Sequence, residues 1–134
     1  NLSASTLSGA SNAITLTTAL SAAQSVSAAQ AGTDASVNVT FSNANENGIA
    51  NYAVLVSQNA ALSEAAATNL YLGGKTKFVA KTDKNATVTA DDTGAALSAG
   101  TYYVYVLSVA DGTSAIANKL SAPSAVTINL QSSN

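Results

Sequence analysis

The sequence contains no Cys, His, Trp, Met or Arg among its 134 residues. Those types supply most metal ligands, nearly every imidazole general base, all thiol nucleophiles and every guanidinium clamp on phosphate. Any catalysis would have to use Ser, Lys, Asp or Glu, and no spacing of these suggests a catalytic constellation, so the chain reads as non-enzymatic. Charge is scarce as well. Only 9% of residues are charged, Lys is the sole basic type and the net charge is -2. With no basic cluster of the kind that nucleic acid or an anionic membrane requires, neither is expected as a partner. No apolar run approaches the ~20 residues that span a bilayer, so membrane insertion is not expected. The basic opening of a secretory signal is missing too, as in a mature or excised fragment. Loss of the oxidisable Cys, Met and Trp, with a low-charge acidic composition, suits long exposure to oxidants and favours an extracellular bacterial setting.

What is present is Ala, Ser, Thr, Val and Asn. The hydrophobic fraction is 47%, but much of it is Ala, so the core has to come from a limited set of Val, Leu, Ile, Tyr and Phe. The length corresponds to one domain with residues to spare. Residues 1–20 are dominated by Ser, Ala, Thr and Asn, with only Ile14-Thr15-Leu16 resembling a short strand; they read as a linker or the tail of a preceding domain. Residues 21–134 read as the domain.

From Ser21 onward, short alternating segments are separated by Gly, Asn and Asp, the pattern of an all-β sandwich. Gln24 to Gln30 reads as an edge strand with Val26 and Ala28 on one face. Val37, Val39 and Phe41 alternate with Asn38, Thr40 and Ser42, giving one buried and one wet face. A polar turn through Asn47-Gly48 leads to Tyr52, Val54 and Val56, opposed by Ala53, Leu55 and Ser57. Ala60 to Leu70 has helix-forming composition with Leu62, Ala66 and Leu70 at i, i+4, i+8. Thr76 to Lys81 then reads as a strand with Phe78 facing in, Asn85 to Ala90 as another around Val88, and Tyr102 to Val109 as a strand apolar on both faces. Val126, Ile128 and Leu130 alternate as the last. The expected core is Phe41, Tyr52, Val54, Tyr102, Val104 and Val106.

Leu97-Ser98-Ala99-Gly100-Thr101-Tyr102-Tyr103-Val104-Tyr105-Val106, then Val109-Ala110-Asp111 and Ser121-Ala122-Pro123-Ser124, resemble the F and G strands of a fibronectin type III domain. Positions 24–43 resemble its A and B strands, with Phe41 where that family usually carries Trp. The resemblance implies an Ig-like, fibronectin type III-like Greek-key sandwich, to which the alternation adds about seven strands and the composition of Ala60 to Leu70 a short helical insertion near 60–70. The composition is similar to that of Ig-like domain arrays in bacterial surface-layer (S-layer) proteins. That likeness implies a structural module at the cell surface or cell wall. It would self-assemble with neighbouring domains or copies of the same protein, often with calcium between domains. The rival reading is a cell-wall polysaccharide-binding or spacer module of a secreted glycoside hydrolase or adhesin, against which stands the lack of Trp for a sugar platform.

Three features bear on contact and ligand. If Tyr102, Val104 and Val106 face the core, Tyr103, Tyr105 and Leu107 form either an exposed contact row or a second buried face covered by Ala60 to Leu72. Asp91 and Asp92, with Asp34, Asp83, Asp111 and Glu46, fall in turns, where carboxylates and carbonyls can serve Ca²⁺ but are also ordinary turn formers; no cofactor beyond such a Ca²⁺ is expected. Lys75, Lys77, Lys81 and Lys84 lie in a polar stretch and read as solvated edge-strand charges rather than as a cross-linking amine.

Overall fold

The computed structural model describes residues 19–113 and 117–130. The short strand expected at 14–16 lies outside them. Over the described residues the chain is an all-β sandwich with one helix. Its elements, in order, are β1 (Gln24–Gln30), β2 (Val37–Ser42), β3 (Ile49–Ser57), α1 (Glu64–Leu72), β4 (Lys77–Val79), β5 (Asn85–Val88), β6 (Gly100–Ala110), β7 (Lys119–Leu120) and β8 (Ser124–Ile128). One sheet runs β1-β2-β5; the other runs β4-β3-β6-β7, with β8 also on β6, and every pairing is antiparallel.

Period-two alternation builds the interior directly. On β2, Val37, Val39 and Phe41 are buried while the residues between them are exposed. They face Tyr52, Val54 and Val56 of β3 and Tyr102, Val104 and Val106 of β6, joined by Val126 and Ile128 of β8. All six residues expected at the core centre are buried. The Phe41 and Tyr52 rings meet edge to face, centroids 4.9 Å apart. At the start of β6, Tyr102 turns its hydroxyl back to accept from the Ser98 backbone N–H at 3.1 Å, bracing the loop that carries buried Leu97.

β7 and β8 follow one another along the same edge of β6, interrupted at Ser121–Pro123 by a one-residue shift of register. Pro123 has no N–H to offer a ladder. Ser121 compensates: its N–H donates to the Val106 carbonyl at 2.9 Å, and its Oγ accepts from the Val106 N–H at 2.9 Å. Across the sandwich edge, the Gln30 side chain donates to the Asn129 carbonyl and accepts from the Asn129 N–H, clasping β1 to the end of β8.

The chain enters this body at one pole and leaves at the other. The Ser21 carbonyl accepts from Asn43 Nδ2 and Ser108 Oγ, at the end of β6. Asn129 lies beyond Ile128, the partner of Gly100 at the opposite end of that strand. Leu20, counted with the linker on composition, is only 4% exposed and belongs to the core.

Two single-residue expectations are corrected. Phe78 is 61% exposed rather than inward. The β3–β4 register pairs Tyr52 with Val79 and Ala53 with Phe78, so Val79 takes the inner position beside Tyr52 and the adjacent Phe78 must point outward. Leu130 does not extend the alternation of Val126 and Ile128, because β8 stops at Ile128 and Leu130 is exposed.

Candidate functional site

The row formed by Tyr103, Tyr105 and Leu107 is not a free contact surface. Tyr105 and Leu107 are completely covered, and Tyr103 is half-buried. They join Ala53, Leu55 and Val109 in a second apolar cluster, roofed by Ala67, Leu62, Leu70 and Tyr71 of α1 and its approach. The reason lies in local sequence. Ser63 caps the helix by accepting from the Ala66 N–H at 3.1 Å, and Glu64 stands in the positively polarised first turn. The Glu64 carboxylate reaches β7, accepting from the Leu120 N–H at 3.2 Å and lying 3.6 Å from the Lys119 ammonium. The Tyr105 hydroxyl donates to the Asn59 carbonyl and accepts from the Leu62 N–H, pinning the loop that leads into α1. Strands β3 and β6 are therefore buried on both faces, and the only large apolar side chains left strongly exposed among the described residues are Leu72, Phe78 and Leu130.

Asp91 and Asp92 sit in the turn between β5 and β6, but their carboxylates serve different partners. Asp91 Oδ1 accepts from the Thr93 N–H at 2.8 Å, the Thr93 hydroxyl at 2.6 Å and the Ala95 N–H at 3.2 Å. The Thr93 hydroxyl bond, with the backbone donors beside it, holds its pKa below the usual carboxylate range. Asp92 accepts instead from Ser57 Oγ at 2.7 Å. Among the described residues no three carboxylates come together as a metal site.

A third cluster joins the β2–β3 turn to the turn before β5. Glu46 accepts from the Tyr52 hydroxyl at 2.6 Å and pairs with the Lys84 ammonium at 2.8 Å, which also lies over the Tyr52 ring, 5.7 Å from its centroid. Burial opposes ionisation of Glu46, but the Lys84 and Tyr52 bonds outweigh it and hold its pKa below the ordinary 4.5. The Tyr52 hydroxyl is pushed well above its ordinary value by burial and by the carboxylate. A depressed carboxyl pKa stabilises the fold above the unfolded value and loses that contribution as pH falls through the native one. Glu46→Gln should therefore be less stable than the parent at neutral pH, by about 1 kcal/mol for a partly buried charged pair. The gap should close below pH 4.5, where the parent carboxyl protonates. Urea midpoints at pH 7 and 3 check this; a gap that widens in acid would reverse the assigned direction.

Among the described residues Lys84 and Lys119 stand in ion pairs, whereas Lys75 and Lys77 do not. These two line a cleft of about 330 Å³ that opens between the edge strands of the two sheets, β4 on one side and β5 on the other. Val54 and Val88, both buried in the core, lie beneath it, and Asp91 and Gly94 line it from the turn after β5. Both lysines are exposed, as solvated charges. Nothing local to residues 75–77 reveals a cleft whose far wall comes from residues 87–94.

No model of a known protein family matches the chain, and no curated protein matches it.

Proposed function

We propose that the chain is a non-enzymatic structural module of a bacterial cell-surface protein of the S-layer type, working by packing against neighbouring domains or copies of itself. The observation that carries this reading is the path of the chain through the sandwich. Entry at Leu20–Ser21 and exit at Asn129–Leu130 lie at opposite poles, each tied down by side-chain bonds to the sheets. A domain joined at opposite poles transmits the chain in series, as an array requires, and strands buried on both faces give it a stiff centre. The Tyr102–Ser98 corner at the start of β6 is a feature that Ig-like sandwiches share, and it supports the resemblance read from residues 97–106. The setting outside the cell rests on composition alone.

With Tyr105 and Leu107 enclosed, the contact surface moves to Phe78 and its neighbourhood. Phe78 stands exposed on β4, the edge strand of the larger sheet among the described residues, and Leu72 ends the helix that leads into it. Large exposed aromatics on a weakly charged chain favour association between copies. The expected result is a sedimentation mass above the monomer at high concentration, measured with and without Ca²⁺, and reduced to the monomer by Phe78→Lys with circular dichroism unchanged. A parent protein that stays monomeric in both conditions, or association that survives Phe78→Lys, would count against self-packing through this edge.

A further inference from the structure

From the course of the two terminal strands we infer that the sandwich is a shear clamp, which holds when the domain is pulled by its two ends, with Gln30 as its catch. The inference rests on the reading of the chain as a module joined in series. It concerns tension on one domain, not contact between copies.

Strand direction carries the argument. β1 pairs antiparallel with β2, from Gln24 opposite Ser42 at the entry pole to Gln30 opposite Val37 at the exit pole. β8 pairs antiparallel with β6, from Ser124 opposite Val104 to Ile128 opposite Gly100, and β6 runs from the exit pole to the entry pole. β1 and β8 therefore both run from entry to exit, and they lie side by side where the two sheets meet. Val26 and Ala28 of β1 pack against the cluster that contains Val126 and Ile128 of β8. A pull at the two ends draws β1 back toward the entry pole and β8 forward toward the exit pole. Ladder bonds stand perpendicular to antiparallel strands, so this load strains the five cross-strand pairs of β1 with β2 and the five of β8 with β6 together. Strands opened from one end would lose their pairs one at a time.

Among the described residues no ladder joins β1 to β8, and the Gln30 side chain stands in for one. Its Nε2 donates to the Asn129 carbonyl at 3.0 Å and its Oε1 accepts from the Asn129 N–H at 2.9 Å, the two bonds a neighbouring strand would make. Nε2 also donates to the Asp34 carbonyl at 2.8 Å, which fixes the orientation of the amide. The entry end is held in a comparable way. The Ser21 carbonyl receives one donor from beyond the end of β2, Asn43, and one from β6, Ser108, while Leu20 before it is buried in the core.

The chain has no Cys, so handles can be attached at chosen points. In one arrangement single molecules are held by both termini. In the other they are held by the N-terminus and by Ala44→Cys, an exposed position in the β2–β3 turn at the entry pole. In optical tweezers at equal load, the terminal arrangement should unfold at least roughly ten-fold more slowly than the same-pole arrangement, which peels β1 from β2 pair by pair. Gln30→Ala should speed unfolding roughly ten-fold under terminal load, through the loss of two hydrogen bonds. It should leave the same-pole rate unchanged, because Gln30 belongs to the last pair that peeling reaches. Thr87→Val removes the bond from Thr87 to Asn38, between β2 and β5 and off the path of load, and should alter neither rate. Equal rates in the two arrangements of the parent, a terminal rate insensitive to Gln30→Ala, or an equal effect of Gln30→Ala in both arrangements would each overturn the proposal. Single molecules have no copy to contact, so a clamped chain that stays monomeric in sedimentation counts against the assembly reading alone, and an associating chain without the clamp counts against this one alone.

Discussion

Phe41→Ala is expected to lower stability by about 3–5 kcal/mol, the range for emptying a buried phenylalanine site. Phe41 is 6% exposed and meets Tyr52 edge to face, so truncation removes its own burial and also one face of the Tyr52 ring. The cavity cannot collapse cheaply. β2 is held between β1 and β5 by its ladder pairings, and Tyr52 is fixed by its hydroxyl bond to Glu46. Against a total of about 5–15 kcal/mol for a domain of this kind, the variant should melt on the order of 10–20 °C below the parent. Thermal unfolding followed by circular dichroism measures it. An unchanged midpoint would mean that β2 is set one residue out of register, with Asn38 and Thr40 inside, because a shift of one exchanges the two faces of a strand.

That register was legible because six consecutive residues of β2 alternate without exception and only one phase buries the apolar set. β6 was legible for the opposite reason, since a run apolar on both faces demands cover on both. The sequence left open whether the outer face is covered by Ala60 to Leu72 or stays a contact row, as period two identifies a second apolar face without saying whether a segment reaches it. The bonds that decide the matter, from Tyr105 to Asn59 and Leu62 and from Glu64 to Leu120, join residues more than forty positions apart. β4 shows where alternation fails. Lys77-Phe78-Val79 is three residues long, and two adjacent apolar side chains cannot both face inward. Side-chain size suggested Phe78, but pairing with β3 set the phase and chose Val79. Leu20 was obscured in a similar way: its Ser-, Thr- and Ala-rich surroundings look like a linker, while burial of a single leucine depends on the pole of the sandwich it meets. The cleft is the least legible feature, because it exists only where edges of two separate sheets approach.

Tyr105→Lys is expected to unfold the domain, with a loss of about 4–5 kcal/mol or more. On an exposed row, this substitution would merely add a hydrated charge and disturb contacts with other molecules. In the enclosed position it does three things. It removes an aromatic that is 1% exposed and packed beneath the helix. It strips the Asn59 carbonyl and the Leu62 N–H of their common partner, freeing the loop that carries the helix cap. It also confines an ammonium among Leu55, Leu107 and Ala67 without a carboxylate beside it, which costs several kcal/mol even after relaxation. Tyr105→Phe separates these contributions. It keeps the ring and loses only the hydroxyl, so a cost of about 1 kcal/mol is expected, from two partly buried hydrogen bonds lost at groups that water can reach. Phe78→Lys is the external comparison, changing an exposed aromatic to the same residue with a midpoint close to that of the parent. Circular dichroism melts of the three variants should therefore rank Tyr105→Lys far below Tyr105→Phe, and Tyr105→Phe below Phe78→Lys. A folded Tyr105→Lys protein with a midpoint like that of Phe78→Lys would mean that α1 does not cover the outer face of the larger sheet, and the row on β6 would again be a surface open to a partner.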